Sequence, residues 1–388
     1  MRHYLHADEI RLIHSGNDYF EVTEKLILNA KESIHLHTYI FDYDTTGKRI
    51  VELLTGAAGR GVVVYVLADA FGSSGFPSAV ISKMHAAGIH FRLFSPLFSS
   101  EAISIGRRLH HKITVVDSCQ ALIGGINIAD KYHGSEPADP WLDYGVLIKG
   151  RPCTYLVALC LSIYEKRMAF ESSSRSKEAE DGNVRFRRND WLKRKNEIHK
   201  SYLEALIRAD KNINLVASYF LPGRTFRKLL KEAVARGVRI RIVLAGKSDL
   251  MIIPLAEKYL YYFYLINGIE IYEWDNSVMH GKAMTVDGNW ATIGSYNLNY
   301  LSHYLSIELN SDIKDTAFVK QFDTHLEDII TQKCTPVTRE GFMKKRSLLF
   351  RLQMRVGYAV YKVLMIFMMK KRDRHKRQDI GHKTKNPD

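Results

Sequence analysis

At 388 residues with 46% hydrophobic residues, the chain is long enough for two lobes of about 150 residues each and too rich in apolar side chains to be disordered. The net charge is +14, but residues 344–388 hold 14 Lys or Arg against three Asp, so the tail carries +11 and residues 1–343 only +3. A nearly neutral body argues against nucleic acid as its partner.

The first sixteen residues hold His3, His6, His14 and the pair Asp8-Glu9 with no apolar run, so no targeting leader is read there. Next, Ala30–Phe41 reads as a helix end running into a short strand, rich in β-branched and aromatic residues. A helix follows, then Arg60-Gly61-Val62 ahead of a strand, another helix, and Gly88-Ile89 at a strand start. The same succession returns at Ala209–Leu221, Arg236-Gly237-Val238 and Gly268-Ile269, at offsets of 176 to 180 residues. Three matches in order imply two copies of one unit. Strands alternating with helices predict α/β lobes with helices layered on the sheets. Residues 171–190 are polar until Val184 and read as an inter-lobe linker. The expected division is residues 1–170, linker 171–190, second lobe 191–338 and tail 339–388. Cys119, Cys153, Cys160 and Cys334 form no CxxC pair or zinc-type arrangement, and Cys153 and Cys160, in an apolar segment, read as buried thiols in a reducing compartment rather than a disulfide.

The chemistry falls late in each copy. His110, Lys112 and Asp117 are followed after six residues by Gly124, Gly125 and Asn127. His280, Lys282 and Asp287 are followed at identical spacing by Gly294, Ser295 and Asn297. One HxK on a strand would read as a surface histidine; the duplicated frame points to a site. His and Lys two apart on a strand share a face, whereas Asp117 and Asp287 face elsewhere and read as support or turn residues. At Gly124, Gly125, Gly294 and Ser295, absent or small side chains would let backbone and Asn amide approach an anion. Gly125 and Ser295 are the expected substrate contacts. A phosphodiester has one negative charge and a poor alkoxide leaving group. One imidazole can attack phosphorus while the other protonates the departing oxygen. Two Lys and two Asn can hold the non-bridging oxygens without a metal, and no cofactor is expected.

These motifs resemble the paired signature of the phospholipase D superfamily, and of bacterial cardiolipin synthases within it. The similarity runs from about His35 to His325 and includes Tyr39-Ile40-Phe41, Arg108, Trp141-Leu142-Asp143, Tyr219-Phe220-Leu221-Pro222 and Lys247-Ser248-Asp249. It implies two phospholipase D-like lobes about a pseudo-two-fold axis, a ping-pong reaction through a phosphohistidine, His110 as nucleophile and His280 as general acid, then base. It also implies that Asp143 and Glu308, acidic residues downstream of each motif, hold the far nitrogen of a catalytic imidazole. The second motif departs from the cardiolipin synthase pattern. Asn299, Leu301-Ser302 and Ser306 stand where an Asp, an Arg-Ser pair and an Asn are usual, which removes a cation near the acceptor side.

From Lys344 the chain is basic and apolar. At about 100° per residue, Lys344, Arg351, Arg355 and Lys362 fall within about 40° of one another. The unbroken apolar run Val363–Met369 is short for a spanning helix. A membrane-associating amphipathic tail is expected, on anionic phospholipid at the cytoplasmic face, with docking on the body or a spanning helix as alternatives. The expected activity is phosphatidyl transfer to a small alcohol or a second phospholipid. Hydrolysis by water, a nuclease and a non-catalytic scaffold are the alternatives.

Overall fold

The computed structural model describes residues 3–96, 107–134, 138–166, 181–190, 195–247, 253–345 and 347–383. The first lobe runs β1 (Glu9–His14), α1 (Asn17–Asn29), β2 (Ser33–Thr38), α2 (Thr45–Gly59), β3 (Val63–Asp69), α3 (Ser78–Ala86), β4 (His90–Phe94), β5 (Arg108–Leu109), β6 (Ile113–Val116), β7 (Gln120–Gly124), α4 (Asp130–His133), β8 (Tyr144–Lys149) and α5 (Cys153–Tyr164). The second runs β9 (Val184–Asp190), β10 (Lys195–Asn196), α6 (Glu197–Arg208), β11 (Asn212–Ala217), α7 (Arg224–Ala235), β12 (Arg239–Ala245), α8 (Ile253–Ile266), β13 (Glu270–Trp274), β14 (Lys282–Val286), β15 (Trp290–Gly294), α9 (Tyr300–Tyr304), β16 (Ser306–Ile313), α10 (Thr316–Lys333) and β17 (Cys334–Val337). Two helices close the chain: α11 (Arg339–Lys345) and α12 (Leu348–Lys383).

The duplication is exact in topology. Sheet one has the order β1-β8-β7-β6-β2-β3-β4, and β9-β16-β15-β14-β11-β12-β13 repeats it in sheet two, with β10 and β17 added at its ends. In each, three parallel strands continue into an antiparallel half. The repeated Arg-Gly-Val phrase has a physical basis. Arg60 Nη2 donates to the carbonyls of Ile27 and Leu28 at the end of α1, and Arg236 Nη2 to those of Leu206 and Ala209 at the end of α6. Gly61 and Gly237 then turn with φ of 87° and 92°, which a side chain would resist. Asp117 and Asp287 accept the backbone N–H groups of Lys31, Glu32 and Ser33, and of Asp210, Lys211 and Asn212. Each thereby ties its turn to the entry of its lobe's first parallel strand.

Period-two alternation sorts the strand residues into layers. Ile113, Val115, Ile123 and Val146 face a central core shared with Val216, Ala283, Ile293 and Leu309 of the other sheet. Leu36, Val66, Leu122 and Leu147 face α1–α3, and Leu215, Ile242 and Met284 face the outer helices of lobe two. One continuous apolar layer therefore joins the lobes.

Two expected boundaries change. Val184–Asp190, assigned to the linker, is β9, the counterpart of β1, so the second lobe starts earlier than residue 191. Its three arginines disguise an alternating strand. Val184 and Phe186 are fully buried, while Arg185 and Arg187 pair with the buried Asp312 at 2.9 and 3.3 Å. Most of the remaining linker lies outside the described residues.

The tail is also not separate from the body. Met354, Tyr361 and Met365 of α12 join the outer core of lobe two, and the Tyr358 ring stacks on Tyr259 at 4.5 Å. Opposite this docked face, Leu349, Leu352, Val356, Val360, Val363 and Phe367 recur at three- and four-residue spacing and are exposed, Leu349 and Phe367 at 66% each. Among the described residues no helix is long and apolar enough to cross a membrane. The side chains of the basic cluster from Lys370 to Arg377 lie outside the described residues. If α12 is part of the fold, Tyr361→Ala should cost about 3 kcal/mol or more, the scale for truncating a buried ring. Urea unfolding of the full chain checks this, and an unchanged midpoint would show the helix to be dispensable for stability.

Candidate active site

Strand pairing across the lobes builds the site. β5 pairs in parallel with β16 of the other lobe, and His110 N–H donates to Ile307 O at 2.9 Å. The mirror contact joins Leu142 to Met279, with His280 N–H donating to Leu142 O at 2.8 Å. Each histidine is thus aligned beside the residue that precedes an acid of the opposite lobe. His110 Nδ1 lies 2.8 Å from Glu308 Oε2, and His280 Nδ1 lies 2.6 Å from Asp143 Oδ2. Both carboxylates are fully buried. With Nδ1 held on the carboxylate, attack or proton exchange falls to Nε2 of each imidazole.

The lysines close on the same point. Lys112 Nζ donates to His110 O at 2.9 Å and lies 5.2 Å over the Tyr39 ring. Lys282 Nζ lies 2.8 Å from His280 Nδ1, 3.6 Å from Asp143 Oδ2, and also meets His280 O. His110 precedes β6 rather than lying within it, so the inter-lobe ladder, not alternation within one strand, orients the imidazole. Asn127 Oδ1 accepts Ile40 N–H at 3.0 Å while Nδ2 donates to the Tyr132 hydroxyl at 2.7 Å; Asn297 Oδ1 accepts from Ser218 Oγ at 2.9 Å. Both amide oxygens are thereby occupied by donors on the loops after β2 and β11. His110, Lys112, Asn127, Asp143, His280, Lys282, Asn297 and Glu308 converge.

The small residues do something other than expected. A Cβ on Gly125 would fall 2.3 Å from Asp143 Oδ1, and Ser295 Oγ donates to Glu308 Oε2 at 2.5 Å. Expected as substrate contacts, both instead make room for, or bind, the carboxylate behind an imidazole. Gly124 and Gly294 are small because a Cβ would strike the backbone oxygens of Tyr144 and Leu309, each at 2.3 Å.

Charge follows from burial. Burial holds the His110 imidazole below its ordinary value, against the pull of Glu308. Burial also lowers the Lys112 ammonium to about 7, despite Glu308, and raises the Asp143 carboxyl to about 6, despite Lys282. An anion entering between the lysines would raise Lys112 again.

Sequence reasoning did not assign four contributors. Tyr39 and Tyr219 set their ring edges against His110 and His280, with centroids at 4.9 and 6.4 Å. Their 180-residue offset was the available signal. Tyr132 lies edge-on to His280 at 5.3 Å. Asp69, fully buried at the end of β3, accepts Leu109 N–H at 2.8 Å and Arg108 Nη1 at 3.5 Å, fixing the segment before His110. The equivalent position in lobe two is Ala245, so the repeat could not reveal it. Asn299 caps α9 by accepting Ser302 N–H at 3.0 Å, a task an Asp performs equally well. Leu301 packs on the outer core of lobe two. Ser248 and Asp249 lie outside the described residues.

A family model described as cardiolipin synthase, phospholipase D-like domain, matches the chain twice, over residues 24–152 and 202–330. The chain is similar to cardiolipin synthase B of Shigella flexneri, 30% identical over 355 residues, covering 88% of this chain and 84% of that one. It is 29% identical over 371 residues to a cardiolipin synthase of Clostridium perfringens, covering 90% and 75%. A phosphatidylserine synthase from Haemophilus influenzae shares the fold, with a TM-score of 0.72 at 17% identity, covering 96% of this chain and 95% of that one.

Gly125→Ala should displace the Asp143 carboxylate and cost about 1–3 kcal/mol, the range for overpacking, whereas Gly59→Ala, with open space at its Cβ, should be near neutral. Thermal unfolding and the ¹⁵N resonances of the His280 imidazole check this. Unchanged His280 resonances would mean the acid tolerates displacement.

Proposed function

The chain belongs to the phospholipase D-like cardiolipin synthase family, and from that premise we propose that its crossed pairs of histidine and carboxylate move a phosphatidyl group from one phospholipid to an alcohol on a second. It is a cardiolipin synthase-like phosphatidyltransferase. The observation that carries the mechanism is the crossed pairing itself, which holds each imidazole by Nδ1. Neutral His110 then attacks through Nε2, while His280, starting as the imidazolium beside Asp143, donates the proton of its Nε2.

In the first half-reaction His110 Nε2 bonds to phosphorus. The bond from phosphorus to the leaving alcohol breaks, and the alkoxide takes a proton from His280. In the second, the acceptor hydroxyl oxygen attacks phosphorus, its proton passes to His280, and the electrons of the phosphorus–nitrogen bond return to His110. Lys112 and Lys282 neutralise the non-bridging oxygens, and the amides of Asn127 and Asn297 add N–H donors. Burial supports His110 as nucleophile, because a depressed imidazole is neutral at neutral pH. Asp143 and Glu308 hold the rings and stabilise the imidazolium that forms. The acceptor is a phospholipid or small alcohol. The exposed apolar stripe of α12 supports work at a lipid surface, with the helix lying in the interface of an anionic membrane on its cytoplasmic face.

Purified protein given phosphatidylglycerol in detergent, with EDTA present, should yield diphosphatidylglycerol and glycerol by mass analysis. Phosphatidic acid alone would show water as the acceptor, and cleaved DNA with unchanged lipid would defeat the reading. His110→Ala should abolish a labelled lipid adduct; an adduct mapped to His280 in the wild type would reverse the assignment.

The pH profile has a defined sign. Neutral His110 persists until pH falls through a value below about 6.5, and Asp143 is protonated below about 6. kcat/KM should therefore fall on the acid side with a steep limb below the ordinary imidazole value. Glu308→Gln, which removes the anion beside His110, should move that limb lower still and reduce the rate by roughly 10²–10⁴-fold. An unmoved limb would separate Glu308 from the nucleophile.

A further inference from the structure

Away from the catalytic residues, α7, α8 and α12 enclose a cavity of about 510 Å³ on the outer side of lobe two. Its lining includes Arg227, Arg351 and Arg355, with Tyr259, Tyr262 and Phe263 among its walls. None belongs to the catalytic set. Arg351 and Arg355 lie one helical turn apart, and among the described residues no carboxylate forms an ion pair with any of the three arginines. The Arg227 guanidinium sits 5.8 Å over the Phe263 ring, and its Nε is buried without a hydrogen-bond partner among the described residues. A buried guanidinium nitrogen without an acceptor is costly, and three cations facing one cavity repel unless an anion joins them.

The cavity opens beside an apolar rim. Leu348, Leu352 and Val356, exposed at 82%, 57% and 52%, share the turns of α12 that carry Arg351 and Arg355. The volume is that of a small-ligand site, suited to a headgroup and its glycerol rather than to whole acyl chains.

We propose that this cavity is a second, non-catalytic lipid site, in which Arg227, Arg351 and Arg355 hold the phosphate of an anionic phospholipid while its acyl chains leave along the exposed face of α12. The guanidinium fork matches phosphate oxygens in pairs, and the aromatic walls cover the glycerol. Inorganic phosphate would satisfy the arginines but leave the rim in water; a neutral lipid would cover the rim but leave the arginines unpaired. The inference rests on the reading that the outer face of α12 lies on lipid. It adds one defined binding position to that surface.

The test uses the full chain on vesicles containing a phosphatidylglycerol whose acyl chain bears a photoactivatable diazirine. Label should appear in peptides of α8 and α12. Replacing the cavity cations, as R227Q/R351Q/R355Q, should reduce that label by about fivefold or more, since each basic residue at an anionic surface is worth around 1 kcal/mol. The charge-matched K25Q/K83Q/K314Q, altered at exposed positions elsewhere, should keep the label. Turnover of lipid in micelles should be unchanged in both, which reports that the fold is intact. Should the triple Gln variant melt early, Arg227→Lys, which keeps the charge but loses the fork, should still weaken labelling. Equal loss in the charge-matched variant would reduce the site to diffuse attraction. Equal labelling by a phosphatidylcholine probe would remove its anion selectivity, and displacement by inorganic phosphate, but not by chloride at equal ionic strength, would make it a phosphate site; each result overturns the proposal. A chain that does not float with vesicles at all defeats the interfacial reading of α12. A chain that floats without label in α8 and α12 defeats the second site alone.

Discussion

Each imidazole at the centre of this molecule takes its hydrogen-bond acceptor from the lobe that does not contain it. The distances are short, 2.8 Å for His110 with Glu308 and 2.6 Å for His280 with Asp143, and both carboxylates are fully buried. Removing one partner of a buried charged pair is strongly destabilising, because the remaining charge is left uncompensated away from water. The two-residue ladder between β5 and β16, and its mirror at Leu142 and Met279, makes that pairing geometric rather than fortuitous. The shared apolar layer between the sheets holds the ladder in register. Separated from its neighbour, either lobe would keep a histidine without its carboxylate and an acid without its imidazole.

The two halves agree in topology and differ in detail. Lys112 meets the backbone of its own motif and the Tyr39 ring, whereas Lys282 sits against both His280 and Asp143. Asp69 secures the approach to His110, and nothing equivalent stands at Ala245. The residue between histidine and lysine is His111 in one copy and Gly281 in the other, where a Cβ would crowd Val216 and the Tyr144 ring in the central core. Two-fold symmetry places the groups, and local departures from it give the imidazoles unequal surroundings. Unequal surroundings are what a reaction with one nucleophile and one proton donor requires.

Much of this was legible in the chain. The duplicated motif and the strand starts at Gly88 and Gly268 depend on neighbours close in sequence, and short-range patterns carry them. What sequence could not reveal depends on packing between distant segments. Glu308 and His110 are 198 residues apart, and nothing local says which histidine that acid will meet. Gly125 reads as an opening for substrate until Asp143 is seen to occupy the space. β9 was hidden because Arg185 and Arg187 pair with Asp312, 125 residues beyond Arg187. In α12 an apolar helix with one basic stripe suits a membrane or a protein surface equally, and only the packing of Met354, Tyr361 and Met365 shows that one face already has a partner.

The crossed pairing has a consequence for descent. Copies of a duplicated unit ordinarily drift apart, each keeping its own residues compatible. Here the residue that disciplines His110 is encoded in the second copy, and the one that disciplines His280 in the first. A change at position 308 is judged by what stands at 110, and a change at 143 by what stands at 280. Neither half can be exchanged for a relative's half without importing that relative's compromises across the seam. The two copies therefore diverge as one inheritance, bound by selection at the places where their side chains meet.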